Sequence, residues 1–273
     1  MGHHSGIRST LRTRQRWRAL RRSAPVTSDP RSSAFADRLH AQGYLLAAAA
    51  YPQDLIDELR QVERVTADPA TSVAMGGRNP EAVRYGVDPL SLIPRLREFL
   101  TPELAAIVRA WYGTEFRIAS VRLWRIAHVP PTEQAFNQYG NLWHVDGHAV
   151  DALKMFVQVT PCAEADAAHG AALRLVSRRH TRLALLRGYV DQRRILPSAT
   201  RFLEKRVIMF DGPPGSVLFA NTNRCLHRAG NPPPGVTRAM AQFYFLPSAS
   251  PPPDGDYFAD VPVDANVYEG AVA

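Results

Sequence analysis

The order His144-Val-Asp146, then His227, constrains the fold of this chain more than any other feature. A histidine and an aspartate at i and i+2 put both side chains on one side of a sheet if the segment is a β-strand. His227 comes 83 residues later, so the chain must turn back and supply it from another strand. Two imidazoles and one carboxylate can hold a divalent ion such as ferrous iron on one face, leaving three coordination positions open. Arg238 follows His227 by 11 residues and suits a two-pronged salt bridge to a dicarboxylate.

Periodicity separates a helical half from a stranded half. Ser23 to Ser33 reads as a linker, followed by a short helix from Ala34 carrying Phe35 and Leu39. One helix is expected from Pro52 to Val65, and two more over Pro89–Leu100 and Pro102–Trp111, the last with Thr101 as its cap. Strands are expected over Phe116–His128, where alternation is imperfect, over Leu153–Val159, Gly215–Ala220 and Val236–Leu246. Leu153, Met155, Val157 and Val159 share one face of their strand; Lys154, Phe156 and Gln158 share the other. On the last strand Arg238, Met240, Gln242 and Tyr244 lie opposite to Ala239, Ala241, Phe243 and Phe245. A charged residue pointing inward on such a strand needs an acidic partner.

With 273 residues, 45% of them apolar, the chain has enough material for one substantial core. We read residues 1–33 as a basic N-terminal arm and linker, and 34–273 as a single domain. The net charge of +8 is concentrated in that arm, where residues 1–22 hold seven arginines and no acid. No groove-reading motif accompanies the arginines, so nucleic acid is not the expected partner. The apolar run Tyr44–Tyr51 is too short to cross a bilayer, so no membrane partner is expected. Two cysteines, Cys162 and Cys225, make no disulfide framework and fit a reducing cytoplasm. Cys225 stands two residues before His227, which would place a thiol near a bound metal if it shared that strand face. Oligomeric state is not encoded in any motif.

Trp143-His144-Val145-Asp146-Gly147, Leu153-Lys154-Met155-Phe156-Val157, Leu226-His227-Arg228 and Thr237-Arg238 together resemble the phytanoyl-CoA dioxygenase family. That family is a branch of the iron(II)/2-oxoglutarate-dependent oxygenases. The resemblance covers roughly residues 35–246, and only its metal-binding half is specific. It implies a mainly β, double-stranded β-helix (jelly-roll) core with flanking helices. It also implies Fe(II) on His144, Asp146 and His227, 2-oxoglutarate on Arg238, and O2 as the second co-substrate. Succinate and CO2 would be released as a small molecule is hydroxylated. Related halogenases replace the carboxylate ligand by a small residue, and Asp146 is retained here. Where the family has a Gly-Pro-Leu stretch and a Pro-Gly-Ser-His turn, this chain has Gly170-Ala-Ala-Leu173 and Ser177-Arg-Arg-His180. The substrate side of the pocket is therefore expected to differ.

Further candidates surround this set. Arg125, on the strand before the first ligands, is expected to contact 2-oxoglutarate or substrate. Lys154 and Gln158 are expected to line the cavity. Residues 174–206 hold ten basic residues against Asp191 and Glu204, which would steer an anionic small-molecule substrate. Arg178 and Arg179 are the residues expected to hold it. Other readings stay open. Two histidines and an aspartate also bind zinc in metal-dependent hydrolases, and a jelly roll can serve as a non-catalytic binding protein. His128, His148, His169 and His180 carry no comparable spacing.

Overall fold

The computed structural model describes residues 18–22, 26, 28–47, 51–74, 79–130, 132, 140–146, 152–161, 171–186, 189–190, 194–195 and 201–262. Helix α1 (Pro30–Gln42) begins inside the stretch read as a linker. Asp29 caps it by accepting from the Arg31 and Ser32 amides, and Pro30 sits at its first turn, where a missing N–H costs nothing. It stops at Gly43, whose φ of 85° is left-handed. A Cβ on Gly43 would overlap the Cys225 Sγ and approach the Arg178 Cβ to 3.3 Å.

The single helix expected over Pro52–Val65 is two, α2 (Gln53–Leu59) and α3 (Gln61–Ala67). Arg60 keeps helical torsions between them, but its amide bonds to the Asp57 carbonyl in a tightened turn. The helix expected over Pro89–Leu100 is likewise broken: α4 (Pro89–Leu92) precedes a 3₁₀ stretch that begins at Pro94, which has no amide to give. Helix α5 (Pro102–Tyr112) forms as expected, capped by Thr101. At its C-terminal end Arg21 donates to the carbonyls of Tyr112 and Trp111. The end of the basic arm, residues 18–22, is therefore helical and docked on the body.

Seven antiparallel strands form the larger sheet: β1 (Tyr44–Ala47), β2 (Ser72–Ala74), β3 (Val83–Gly86), β4 (Phe116–Ile126), β5 (Leu153–Gln158), β10 (Val217–Ala220) and β12 (Arg238–Pro247). Their order is β1-β10-β5-β12-β4-β3-β2. A smaller sheet has the order β11 (His227–Arg228), β6 (Leu173–Leu175), β9 (Ile208–Phe210). In the Arg-rich segment α6 (Arg178–Leu186) is followed by β7 (Tyr189–Val190) and β8 (Arg194–Ile195), which pair as a hairpin, and then by a 3₁₀ turn at Glu204–Arg206.

Alternation along β5 and β12 sorts two apolar layers. Ala239, Ala241, Phe243 and Phe245, with Leu153, Met155 and Val157, pack under the helices against Leu39, Leu59, Val108 and Tyr112. Phe243 and Phe245 are fully buried, each contributing roughly 1.5–3 kcal/mol by the area rule. The opposite face places Phe156, Leu218, Ala220 and Met240 against Leu173, Leu175 and Phe210 of the smaller sheet. Two sheets thus face each other across an inner core. The imperfect alternation of β4 has a cause: the β4–β12 register shifts between Tyr244 and Phe245, so Ile118 and Val121, of opposite parity, both reach the helix-side core.

Candidate metal centre

His144 and His227 are tied to each other through the backbone. The His144 amide donates to the His227 carbonyl at 3.1 Å, and the His227 amide returns a bond to His144 at 2.9 Å. This one antiparallel bridge brings their rings to a centroid separation of 4.3 Å. Two residues on, the Asp146 amide donates to the Thr222 carbonyl at 3.0 Å, which turns the carboxylate toward both rings. The Asp146 Oδ1 stands 3.6 Å from His144 Nε2 and 3.7 Å from His227 Nε2. One donor atom from each residue lies within 4.8 Å of the others. An ion bonded at about 2 Å to each would close those gaps.

The far side of each ligand is also fixed. His144 Nδ1 donates to the Leu142 carbonyl at 2.8 Å, and His227 Nδ1 to the Cys225 carbonyl at 3.1 Å. A carbonyl oxygen only accepts, so both Nδ1 atoms carry a proton, and both Nε2 atoms face Asp146. Each bond runs from a histidine to the residue two before it. Lys154 Nζ, reaching from the start of β5, meets the other Asp146 oxygen, Oδ2, at 2.7 Å.

Electrostatics leave the set in metal-binding form. Burial lowers the His227 imidazole to about 3, helped by the neighbouring His144, so it is neutral near pH 7. Burial alone would raise the Asp146 carboxyl; Lys154, His227 and His144 outweigh it and hold the group well below the usual carboxylate range. The donors are therefore an ionised carboxylate and at least one neutral imidazole, the forms a divalent cation requires.

Arg238 is 1% exposed and lies on the inner face of β12. Its guanidinium carbon stands 5.4 Å from the Trp124 ring centroid, and one of its nitrogens contacts the Met240 sulfur. Trp124 Nε1 and Thr222 Oγ1 are buried without a hydrogen-bond partner among the described residues. Buried donors of this kind suit a polar ligand inside the sheets. Gln158 shares the inner face, opposite Met240, with its side-chain amide on the Thr160 carbonyl.

Three expectations are corrected. Arg125 pairs with Ala239 on the outer face, under α3, with Glu63 as a nearby acid. It is turned away from Arg238 because the two differ in strand parity. Arg122 instead occupies the inner face, opposite Gln242 and 5.9 Å from the Tyr85 ring. Which arginine faces inward is set by the pairing of β4 with β12. Arg178 donates to the His40 carbonyl at the end of α1, at 3.2 Å, and Arg179 is exposed on α6. Neither is brought to the metal ligands, because the segment folds as a helix docked on α1 and not as a turn over the cavity. The Cys225 thiol also faces α1, near Gln42 and Gly43, so its carbonyl and not its sulfur serves the site. Lys154 stands on the inner face of β5, where its ammonium pairs with Asp146. Leu142, Trp124 and Thr222 were missed; only the repeated i−2 relation to each histidine could have pointed to Leu142. His148, His169 and Cys162 lie outside the described residues.

No family model and no curated protein matches the sequence. Solved structures do. The chain is similar to the epimerase SnoN in complex with Fe3+, alpha ketoglutarate and nogalamycin RO, with a TM-score of 0.57 and 17% identity over 80% of this chain and 85% of that one. EctD from S. alaskensis with 2-oxoglutarate and 5-hydroxyectoine gives a TM-score of 0.55 at 20% identity, covering 81% and 76%. The alpha ketoglutarate dependent carbocyclase SnoK from nogalamycin biosynthesis gives 0.53 at 15% identity, covering 81% and 86%. At such identities the likeness establishes the fold: a mainly β jelly-roll core with flanking helices, shared with non-haem iron, 2-oxoglutarate-dependent enzymes. No described helix is long and apolar enough to cross a membrane.

Proposed function

We propose that this protein is an iron(II)- and 2-oxoglutarate-dependent dioxygenase of the phytanoyl-CoA dioxygenase type, hydroxylating a small molecule. The observation that carries the proposal is the convergence of two imidazole Nε2 atoms and one carboxylate Oδ1 on a single point, each ligand held from behind. His144, Asp146 and His227 would hold the iron, and Arg238 with Trp124 Nε1 would receive the distal carboxylate of 2-oxoglutarate. Bound iron with 2-oxoglutarate and oxygen supplies an oxidant strong enough to hydroxylate a C–H bond, with succinate and CO2 as by-products.

This chain's residues orient and exclude. The backbone bridge between the histidines sets the separation of their rings. The Leu142 and Cys225 carbonyls keep the Nε2 lone pairs directed at the ion. Burial of Arg238 lets a carboxylate replace water around its guanidinium in a low-dielectric space, where the charge-assisted pair is strong. Phe156, Leu218 and Met240 keep bulk water out of the space between the sheets. No side chain is assigned as acid or base. A reducing cytoplasm would keep the iron ferrous.

The test is an anaerobic titration of metal-free protein with ferrous iron and 2-oxoglutarate, followed by visible absorption. A charge-transfer band that requires both components, and is lost in Asp146→Ala, supports the proposal. Iron binding without such a band would refute it and favour a hydrolase or a non-catalytic binding protein.

A further inference from the structure

Lys154, expected from strand alternation to line the cavity, has no task in holding iron or 2-oxoglutarate. Its surroundings give it one. Lys154 is 8% exposed and stands on the inner face of β5, between Tyr244 of β12 and Ala220 of β10. A buried ammonium needs a partner. Its nitrogen lies 6.0 Å from the Tyr244 ring and 2.7 Å from Asp146 Oδ2, a partly buried partner. The pair divides the carboxylate: Oδ2 faces the lysine, while Oδ1 faces both imidazoles at 3.6 and 3.7 Å.

We propose that Lys154 is a positioning residue for the metal centre, holding Asp146 as a one-oxygen ligand so that three metal positions stay open. The inference rests on the iron reading above. A carboxylate can bind a metal through one oxygen or through both, and the second mode takes an extra position. Asp146 can turn only about its own side chain, because its amide is fixed on Thr222. The Lys154 ammonium therefore decides which oxygen is available. It also cancels the carboxylate charge.

Manganese(II) serves as the probe, because water-proton relaxation reports how many waters its open positions hold. The full-length protein, Lys154→Met and Lys154→Arg are loaded with Mn(II) and titrated with 2-oxoglutarate, with a thermal melt of each. In Lys154→Met the freed Oδ2 displaces one of three waters, so relaxivity per bound ion falls by about a third. Mn(II) is bound at least as tightly, and 2-oxoglutarate binds roughly tenfold more weakly as it competes for that position. Lys154→Arg, which keeps the charge, restores both values toward wild type. Unchanged relaxivity and 2-oxoglutarate affinity in Lys154→Met would overturn the proposal. So would loss of Mn(II) binding, which would make the lysine a structural support of the ligand and not a selector of its mode. Should Lys154→Met fail to fold, Lys154→Gln keeps a polar head without the charge and decides by the same readouts. A wild-type relaxivity indifferent to 2-oxoglutarate would refute the co-substrate reading, while the drop between wild type and Lys154→Met would still decide the role of Lys154.

Discussion

Gly43 couples the end of helix α1 to the metal centre, and replacing it by alanine tests that coupling. Two costs add. At φ 85° a Cβ opposes the following carbonyl, which costs about 1–2 kcal/mol. The same Cβ would overlap Cys225 Sγ, and relieving an overpacked contact of this kind costs about 1–3 kcal/mol. Gly43→Ala should therefore destabilise the protein by about 2–5 kcal/mol, roughly 4–20 °C in Tm for a domain of this size. Cys225 cannot retreat freely, because its carbonyl holds His227 Nδ1 and its amide is bonded to the Asn221 carbonyl. Thermal and urea melts of Gly43→Ala, Cys225→Ala and the double variant separate the two costs. In the Cys225→Ala background the overlap is gone, and Gly43→Ala should cost only about 1–2 kcal/mol. Iron affinity should fall in Gly43→Ala and return in the double variant. Equal costs of Gly43→Ala in both backgrounds would refute the steric reasoning.

Other consequences are open to direct measurement. Arg238→Gln should raise the Kd for 2-oxoglutarate by roughly 10–150-fold, the equivalent of about 1.5–3 kcal/mol for a bond to a charged group, with iron affinity unchanged. A change below threefold in an anaerobic titration would remove Arg238 from the co-substrate site. Burial lifts the Cys225 thiol from about 9 to about 12, so in a Cys162→Ser background it should resist disulfide reagents at pH 8 until the protein unfolds. Because that value is raised on folding, the stability it contributes is full below about pH 9 and is lost as pH rises toward 12; chemical melts at pH 8 and 10.5 should show the loss. Arg21→Ala should cost about 0.5–1.5 kcal/mol, since it uncovers the last carbonyls of α5, and an unchanged melt would show that the arm's docking is energetically idle.

Sequence alone determined which side chains could serve as donors and, on β5 and β12, the face each residue takes. His144, Asp146 and His227 are legible because metal chemistry restricts residue types, and because period-two alternation places i and i+2 together. The same alternation sorted β5 and β12 correctly into helix-side and inner faces, and Thr101, Pro102 and Gly113 bound α5 by local rules that no tertiary contact overrides. What depended on register or on distant partners was decided only in three dimensions. Arg125 lies on the helix side because it pairs with Ala239, and its strand's inner face is fixed by pairing with β12, not by its own sequence. Arg178 looked like an anion contact by position in the chain, yet the end of α1, 138 residues earlier, claims it. Lys154 was placed in the cavity by alternation, but its partner could not be read. The choice between substrate and Asp146 depends on a 2.7 Å contact made when β5 pairs with β10 and Asp146 is fixed on Thr222. Local rules act over a few residues and survive in the sequence; an ion pair's choice of partner depends on distances that exist only after the sheets close.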